Sequence, residues 1–216
     1  MPPASTPATS ARTLWLARHG ESTWNTRGLT QGHNDQAELT ARGQRQATEI
    51  AERFAGLPVR AIYASDLRRA QQTAAPLAVA SGVPMVLDTR LRERSLGVLE
   101  GTPAAGNGPS VTGLDLEAGL LVDPDTRPDD GESVRDLYRR AAAFCDDLRT
   151  GTLPAWGPAG AEPGGDIVVV AHGGTLRVLR AYLSGVSVEE MDWAPLANAT
   201  VLEFPEFGTP AREGEQ

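Results

Sequence analysis

The chain has 216 residues, with 28 acidic side chains against 20 basic ones and a formal net charge of -8 at pH 7. Every basic residue is arginine, so Schiff-base and P-loop lysine chemistry have no lysine to use. The acidic balance argues against a nucleic-acid partner, which is ordinarily met by a basic stripe, and no apolar stretch approaches the roughly 20 residues of a membrane span.

Residues 1–12 lack the basic start and apolar centre of a signal peptide and read as a flexible tail, which predicts a cytoplasmic protein. Leu14-Trp15-Leu16-Ala17 is a short apolar run ending in Arg18-His19-Gly20. This is the pattern of a buried strand whose carboxyl end, where open α/β sheets place their ligands, carries polar groups. Thr40 is an N-cap candidate, and Ala47, Ile50, Ala51 and Phe54 give the helix after it an apolar face. Residues 59–64 read as a second strand. A helix over 67–80 follows, stopped by Ser81-Gly82 and either bent or split by Pro76. A third strand covers 83–87.

Between 101 and 131 the periodicity dissolves into Gly, Pro, Asn, Ser and Thr, and a loop of that length in a compact domain is ordinarily functional. It is read as an insertion, about 102–131, lying over the carboxyl edge of the sheet as a lid or specificity loop. Ser133 caps a helix running to Leu148, and 151–165 is a connector. Ile167-Val168-Val169-Val170-Ala171 is the clearest buried strand, followed at once by His172-Gly173-Gly174 and a helix over 175–183. A last strand covers 199–204, and 205–216 form a tail. The alternation predicts an α/β fold: one domain over 13–204, a three-layer sandwich with a mostly parallel sheet flanked by helices. An exposed edge strand could support a homodimer. Cys145 is the sole cysteine, so no disulfide or cysteine-based zinc site can form within the chain, and its acidic neighbours should raise the thiol pKa.

Of the three histidines, His19 and His172 occupy equivalent places, each at the end of an apolar strand and before glycine. A parallel sheet brings both to one edge, whereas His33, in Gln31-Gly32-His33-Asn34, reads as a loop residue. The second strand ends in Ser65-Asp66-Leu67-Arg68-Arg69, which adds arginines at that edge. Arginine's planar fork of donors matches phosphate oxygens, and glycines let backbone N–H groups at a helix start approach the same anion. Two histidines with Arg18 and Arg69 therefore suit a dianionic phosphoryl group. A neutral imidazole could attack phosphorus in line, and Glu93, in Leu91-Arg92-Glu93-Arg94, is the candidate proton donor.

These residues resemble the histidine phosphatase superfamily, also called the phosphoglycerate mutase-like family, over about residues 13–204. Arg18-His19-Gly20-Glu21-Ser22-Thr23-Trp24-Asn25 is similar to its defining motif. Ser65 to Ala74, Leu91-Arg92-Glu93 with Gly97 and Glu100-Gly101, and Val170-Ala171-His172-Gly173-Gly174 resemble its later blocks in order. The resemblance implies His19 as the phosphorylated nucleophile and Glu93 as general acid and base. It implies Arg18, Arg69 and His172 as catalytic partners in phosphate binding, with Asn25, Gln31, Gly32 and Gly173 contacting phosphate or substrate. No metal and no cofactor are implied. Asn198 either approaches the site or is a turn residue.

The family contains both phosphatases and mutases. Where glycolytic mutases carry a tyrosine and a lysine beyond the acid-block glutamate, this chain has Leu96 and Ala104, and Arg127 is the only basic residue from 101 to 130. Arg92 and Arg94 could stand in for part of that charge. The balance predicts a phosphomonoesterase acting on a small phosphorylated metabolite whose remaining part is neutral. The alternatives are a cofactor-dependent phosphoglycerate mutase and, less favoured, a non-catalytic phosphate-binding regulatory module.

Overall fold

The computed structural model describes residues 12–104, 114–115, 120–121, 123–153 and 165–207. Five strands form one sheet: β1 (Arg12–Arg18), β2 (Val59–Ala64), β3 (Met85–Leu87), β6 (Asp166–Ala171) and β7 (Val201–Phe207), in the order β3-β2-β6-β1-β7. β1, β2, β3 and β6 pair in parallel, and only β7 runs antiparallel, against β1. A separate two-stranded ribbon, β4 (Leu114–Asp115) with β5 (Leu120–Leu121), lies within the insertion.

The two-residue period of each strand explains the layering. On one face, Leu14 and Leu16 of β1, Tyr63 of β2 and Val169 of β6 share a core with Phe144 and Leu148 of α4 (Val134–Thr150) and with Leu176 and Leu179 of α5 (Gly173–Leu183). On the other, Trp15, Ala17, Ile62 and Val168 pack on Ile50 of α2 (Ala41–Arg53), on Phe54, and on Ala74 and Leu77 of α3 (Arg68–Ser81). The central strands are therefore apolar on both faces, as a parallel sheet between two helical layers requires. The α/β sandwich expected from the sequence is the fold observed.

Several boundaries differ from the sequence reading. β7 begins at Val201, after Ala199 turns the chain in a left-handed conformation (φ 60), and it continues to Phe207, through a second such residue at Glu206 (φ 58), instead of ending at 204. β1 takes in Arg12, and β3 is shorter than 83–87. α3 runs unbroken past Pro76. α5 starts at Gly173, because His172 is already extended (φ -124, ψ 169) and serves as N-cap. A one-turn helix, α1 (Thr23–Thr26), was not foreseen; Ser22 and Asn25 close it as a capping box. Residues 1–11 and 208–216, part of the 102–131 insertion and most of the 151–165 connector lie outside the described residues, whereas Arg12 and 205–207, read as tail, belong to β1 and β7. The described return of the insertion packs on the loop after Glu93: Val98 N–H donates to Asp129 O at 3.1 Å and Glu132 N–H to Ser95 O at 2.9 Å.

Candidate active site

Parallel pairing of β1 with β6 sets Arg18 opposite Ala171, so the next residue of each strand emerges at the same edge. These residues are His19 and His172, whose ring centroids lie 5.1 Å apart at 58°. Both rings are buried, and both are held well below the ordinary histidine pKa, first by burial and then by the positive charges of Arg69 and, more weakly, Arg18. Each is therefore neutral at pH 7. The Nδ1 atom of His19 lies 2.7 Å from the Gly20 carbonyl oxygen, which can only accept, so Nδ1 carries the proton. The lone pair is left on Nε2, the nitrogen a nucleophile needs.

Arg69 enters from the first turn of α3 and is fully buried. Its Nη1 and Nη2 donate to the carbonyls of Asn34 (2.9 Å) and Gly32 (2.8 Å), while burial pushes its pKa down to about 10. Arg18 donates through Nη1 to Leu196 O, and its pKa is lowered first by burial. The Nε atoms of Arg18 and Arg69 and both ring nitrogens of His172 are buried without hydrogen-bond partners. Orphaned buried polar groups, here the two arginine N–H groups and the one N–H and one lone pair of neutral His172, are costly, at about 1–3 kcal/mol each. They converge beside His19, where the oxygens of a phosphoryl group would satisfy the N–H groups.

Glu93 reaches this edge from the loop following the turn Thr89–Leu91. Its Oε2 accepts from Gly174 N–H at 2.9 Å and its Oε1 from Arg94 N–H at 2.9 Å, so the first turn of α5 locates the carboxylate. Gly174 has no side chain because a Cβ there would stand 2.3 Å from Glu93 Oε1. Arg92, considered above as a substitute cation, is instead committed to Asp66 through two hydrogen bonds of 2.7 and 2.5 Å. Arg94 is buried, and its pKa is pushed down to about 10 by that burial.

The remaining sequence-derived positions converge on the same edge. Ser22 Oγ lies within hydrogen-bond reach of Gln31 Oε1 (3.0 Å) and Asn25 Oδ1 (2.9 Å), with one proton to donate between them, and Gly32 turns with φ 49 against the Glu100 side chain. Gly173 lies against Arg18, where an added Cβ would be 3.4 Å from Nε. Asn198 resolves toward the site: its Nδ2 donates to His19 O at 3.1 Å and to Asn25 Oδ1 at 3.2 Å. Sequence reasoning passed over Thr73, whose hydroxyl accepts from Gly20 N–H at 3.0 Å and donates to Arg69 O at 2.7 Å, joining the two blocks. It also passed over Glu132 and Arg140, which brace the acid loop. Among the described residues, no group of three or more His, Cys, Asp or Glu side chains is placed to hold a metal ion, and no helix is long and apolar enough to cross a membrane.

Paired strand-end histidines, buried arginines and a carboxylate at a helix start define an α/β enzyme site for phosphoryl groups. The chain belongs to the histidine phosphatase superfamily (branch 1), whose sequence profile matches residues 14–208. It is 40% identical over 179 residues to the Enterobacter sp. (strain 638) protein named "Probable phosphoglycerate mutase GpmB", covering 80% of this chain and 75% of that one. Among solved structures, it resembles a mycobacterial glucosyl-3-phosphoglycerate phosphatase with a TM-score of 0.73 and 34% identity, over 89% of each chain. It also resembles a phosphoserine phosphatase from Entamoeba histolytica in complex with 3-phosphoglyceric acid, with a TM-score of 0.66 and 26% identity, covering 89% of this chain and 90% of that one.

Proposed function

We propose that the protein is a metal-independent phosphomonoesterase acting on a small phosphorylated metabolite. The observation that carries this reading is the set of unpartnered buried N–H groups, the Nε of Arg18 and Arg69 and the single ring N–H of neutral His172, around a neutral His19 with a free Nε2 lone pair. In the first step His19 Nε2 bonds to phosphorus and the P–O bond to the alcohol breaks. The leaving oxygen takes a proton from Glu93, and the phosphohistidine is held by Arg18, Arg69, His172 and Asn25. In the second step Glu93 takes a proton from water, the water oxygen attacks phosphorus, and inorganic phosphate leaves with His19 restored. The preorganised donors stabilise charge on the equatorial oxygens, which is most of what phosphoryl transfer asks of a protein.

The second reading, a phosphoglycerate mutase, is favoured by the name of the 40% identical relative. The phosphatase reading is favoured by the structural neighbours, and by Leu96 and Ala104 where glycolytic mutases carry a tyrosine and a lysine. Phosphorus NMR of 3-phosphoglycerate with the protein, EDTA and a trace of 2,3-bisphosphoglycerate separates the two. Free phosphate without isomerisation supports the phosphatase, whereas 2-phosphoglycerate with little phosphate overturns it.

A further inference from the structure

Glu93 lies on a stretch of chain without regular structure, between the turn Thr89–Leu91 and the turn Gly97–Leu99. Carbonyl groups in such a stretch have no ladder to satisfy them, and a general acid is useful only if its main chain is fixed to within a fraction of an ångström. One side chain from the middle of α4 meets most of that demand. Arg140 Nη1 donates to the carbonyls of Arg90 (2.7 Å) and Arg92 (2.8 Å), and its Nη2 donates to the carbonyl of Glu93 itself (2.7 Å).

The guanidinium is in turn held by Glu132, whose two oxygens accept from Arg140 Nε and Nη2, each at 2.9 Å. Glu132 Oε2 also accepts from Ser95 N–H at 2.9 Å, so the carboxylate grips the loop directly on the far side of Glu93. Burial works to raise the Glu132 pKa, but the hydrogen bonds and charge of Arg140 outweigh it and keep the carboxylate ionised. Charged donors and acceptors in this partly buried setting make stronger bonds than neutral ones, and only an arginine fork can serve three carbonyls and a carboxylate together. Lysine in its place would keep the charge and lose the fork.

We infer that Arg140, held by Glu132, is the positioning residue for Glu93, fixing the main chain of the acid so that its carboxylate meets the leaving-group oxygen. Arg140 touches no reacting atom. Its effect passes through Glu93, and the inference rests on the phosphatase reading above. Loss of Arg140 is expected to harm the steps that need the acid and spare those that do not.

The test compares 4-nitrophenyl phosphate, whose leaving group departs without protonation, with an alkyl phosphate such as glycerol phosphate, whose leaving group requires it. In Arg140→Met, kcat/KM, which reports formation of the phosphohistidine alone, should fall by about 10- to 100-fold for the alkyl ester, with under about threefold change for the aryl ester, the size expected of partial loss of general acid catalysis. Arg140→Lys should show the same selectivity to a smaller degree, and it serves if the methionine variant does not fold. In the Glu93→Gln background, Arg140→Lys should add no further loss on the alkyl ester, since the acid it positions is already gone. Equal losses on both esters, or full additivity with Glu93→Gln, would overturn the inference and leave Arg140 a structural residue. A wild-type protein that hydrolyses neither ester would instead count against the phosphatase reading itself.

Discussion

His19 and His172 stand at the carboxyl ends of adjacent parallel strands, one residue beyond the paired Arg18 and Ala171, with their rings 5.1 Å apart. Both rings are buried beside two arginines, and both are kept neutral by burial and by those charges. The sheet register thus places the proposed nucleophile and one of the proposed phosphate ligands side by side.

Removing the nucleophile should abolish turnover. His19→Ala is expected to lower kcat on any phosphate ester by at least about a thousandfold, since the two-step route depends on the covalent intermediate. Steady-state kinetics with 4-nitrophenyl phosphate measures it, and activity within tenfold of wild type would be incompatible with the mechanism.

Glu93→Gln should discriminate between leaving groups. Alkyl phosphates are expected to lose about 100-fold or more in kcat/KM while aryl phosphates lose less, because the amide cannot protonate the departing oxygen. A plot of log(kcat/KM) against leaving-group pKa should steepen in the variant, and parallel lines would argue against Glu93 as the acid.

Gly174→Ala separates stability from activity. An added Cβ would stand 2.3 Å from Glu93 Oε1, at the movable end of a side chain, so the carboxylate should be displaced and the fold kept. Thermal unfolding should shift by no more than the equivalent of about 1 kcal/mol, given that alanine is the better helix former. Turnover of alkyl phosphates should nevertheless fall at least about tenfold, as general acid catalysis is lost.

Acidification should destabilise the protein. His19, His172 and His33 all have folded-state pKa values below the ordinary 6.5, chiefly through burial, so below that pH the unfolded chain binds more protons than the folded one. Stability is then expected to fall as pH drops from 6.5 toward the folded-state values, with a slope of up to about 1.4 kcal/mol per pH unit for each histidine. Denaturant melts from pH 7.5 to 5 test this, and a stability independent of pH across that interval would refute it.

Cys145 should be inert. Its thiol is buried against Phe144 and its neighbours, and that burial, more than adjacent acid, pushes its pKa up to about 12. A thiol reagent at pH 8 should react only after denaturant is added, since thiolate and access are both lacking in the folded state.

Much of the fold was legible because its central strands are apolar on both faces. Runs such as Ile167 to Ala171 stand out in the sequence, and the His-Gly that follows β1 and β6 marks the sheet edge. The arginine at the head of α3 and the glutamate after the third strand were readable as members of the same edge once the parallel order was assumed. What the sequence hid was contact between distant segments. Arg139 and Arg140 are adjacent and chemically identical, yet Arg139 is exposed and Arg140 clamps three carbonyls some fifty positions earlier in the chain. No local pattern distinguishes them. The short helix α1 was hidden for a different reason: it is stabilised by a reciprocal Ser22–Asn25 cap and the buried Trp24, not by any helical periodicity. Asn198 was ambiguous because its role depends on where the last turn meets β1, which only the packed sheet determines.

The most direct test of the account is a rapid-quench reaction of the EDTA-treated protein with 4-nitrophenyl phosphate, with the phosphoryl group located by peptide mass mapping. The account predicts a transient phosphoryl group on His19 that decays to inorganic phosphate at the rate of turnover. A phosphoryl group on another residue, or turnover that ceases when EDTA is added, would contradict it.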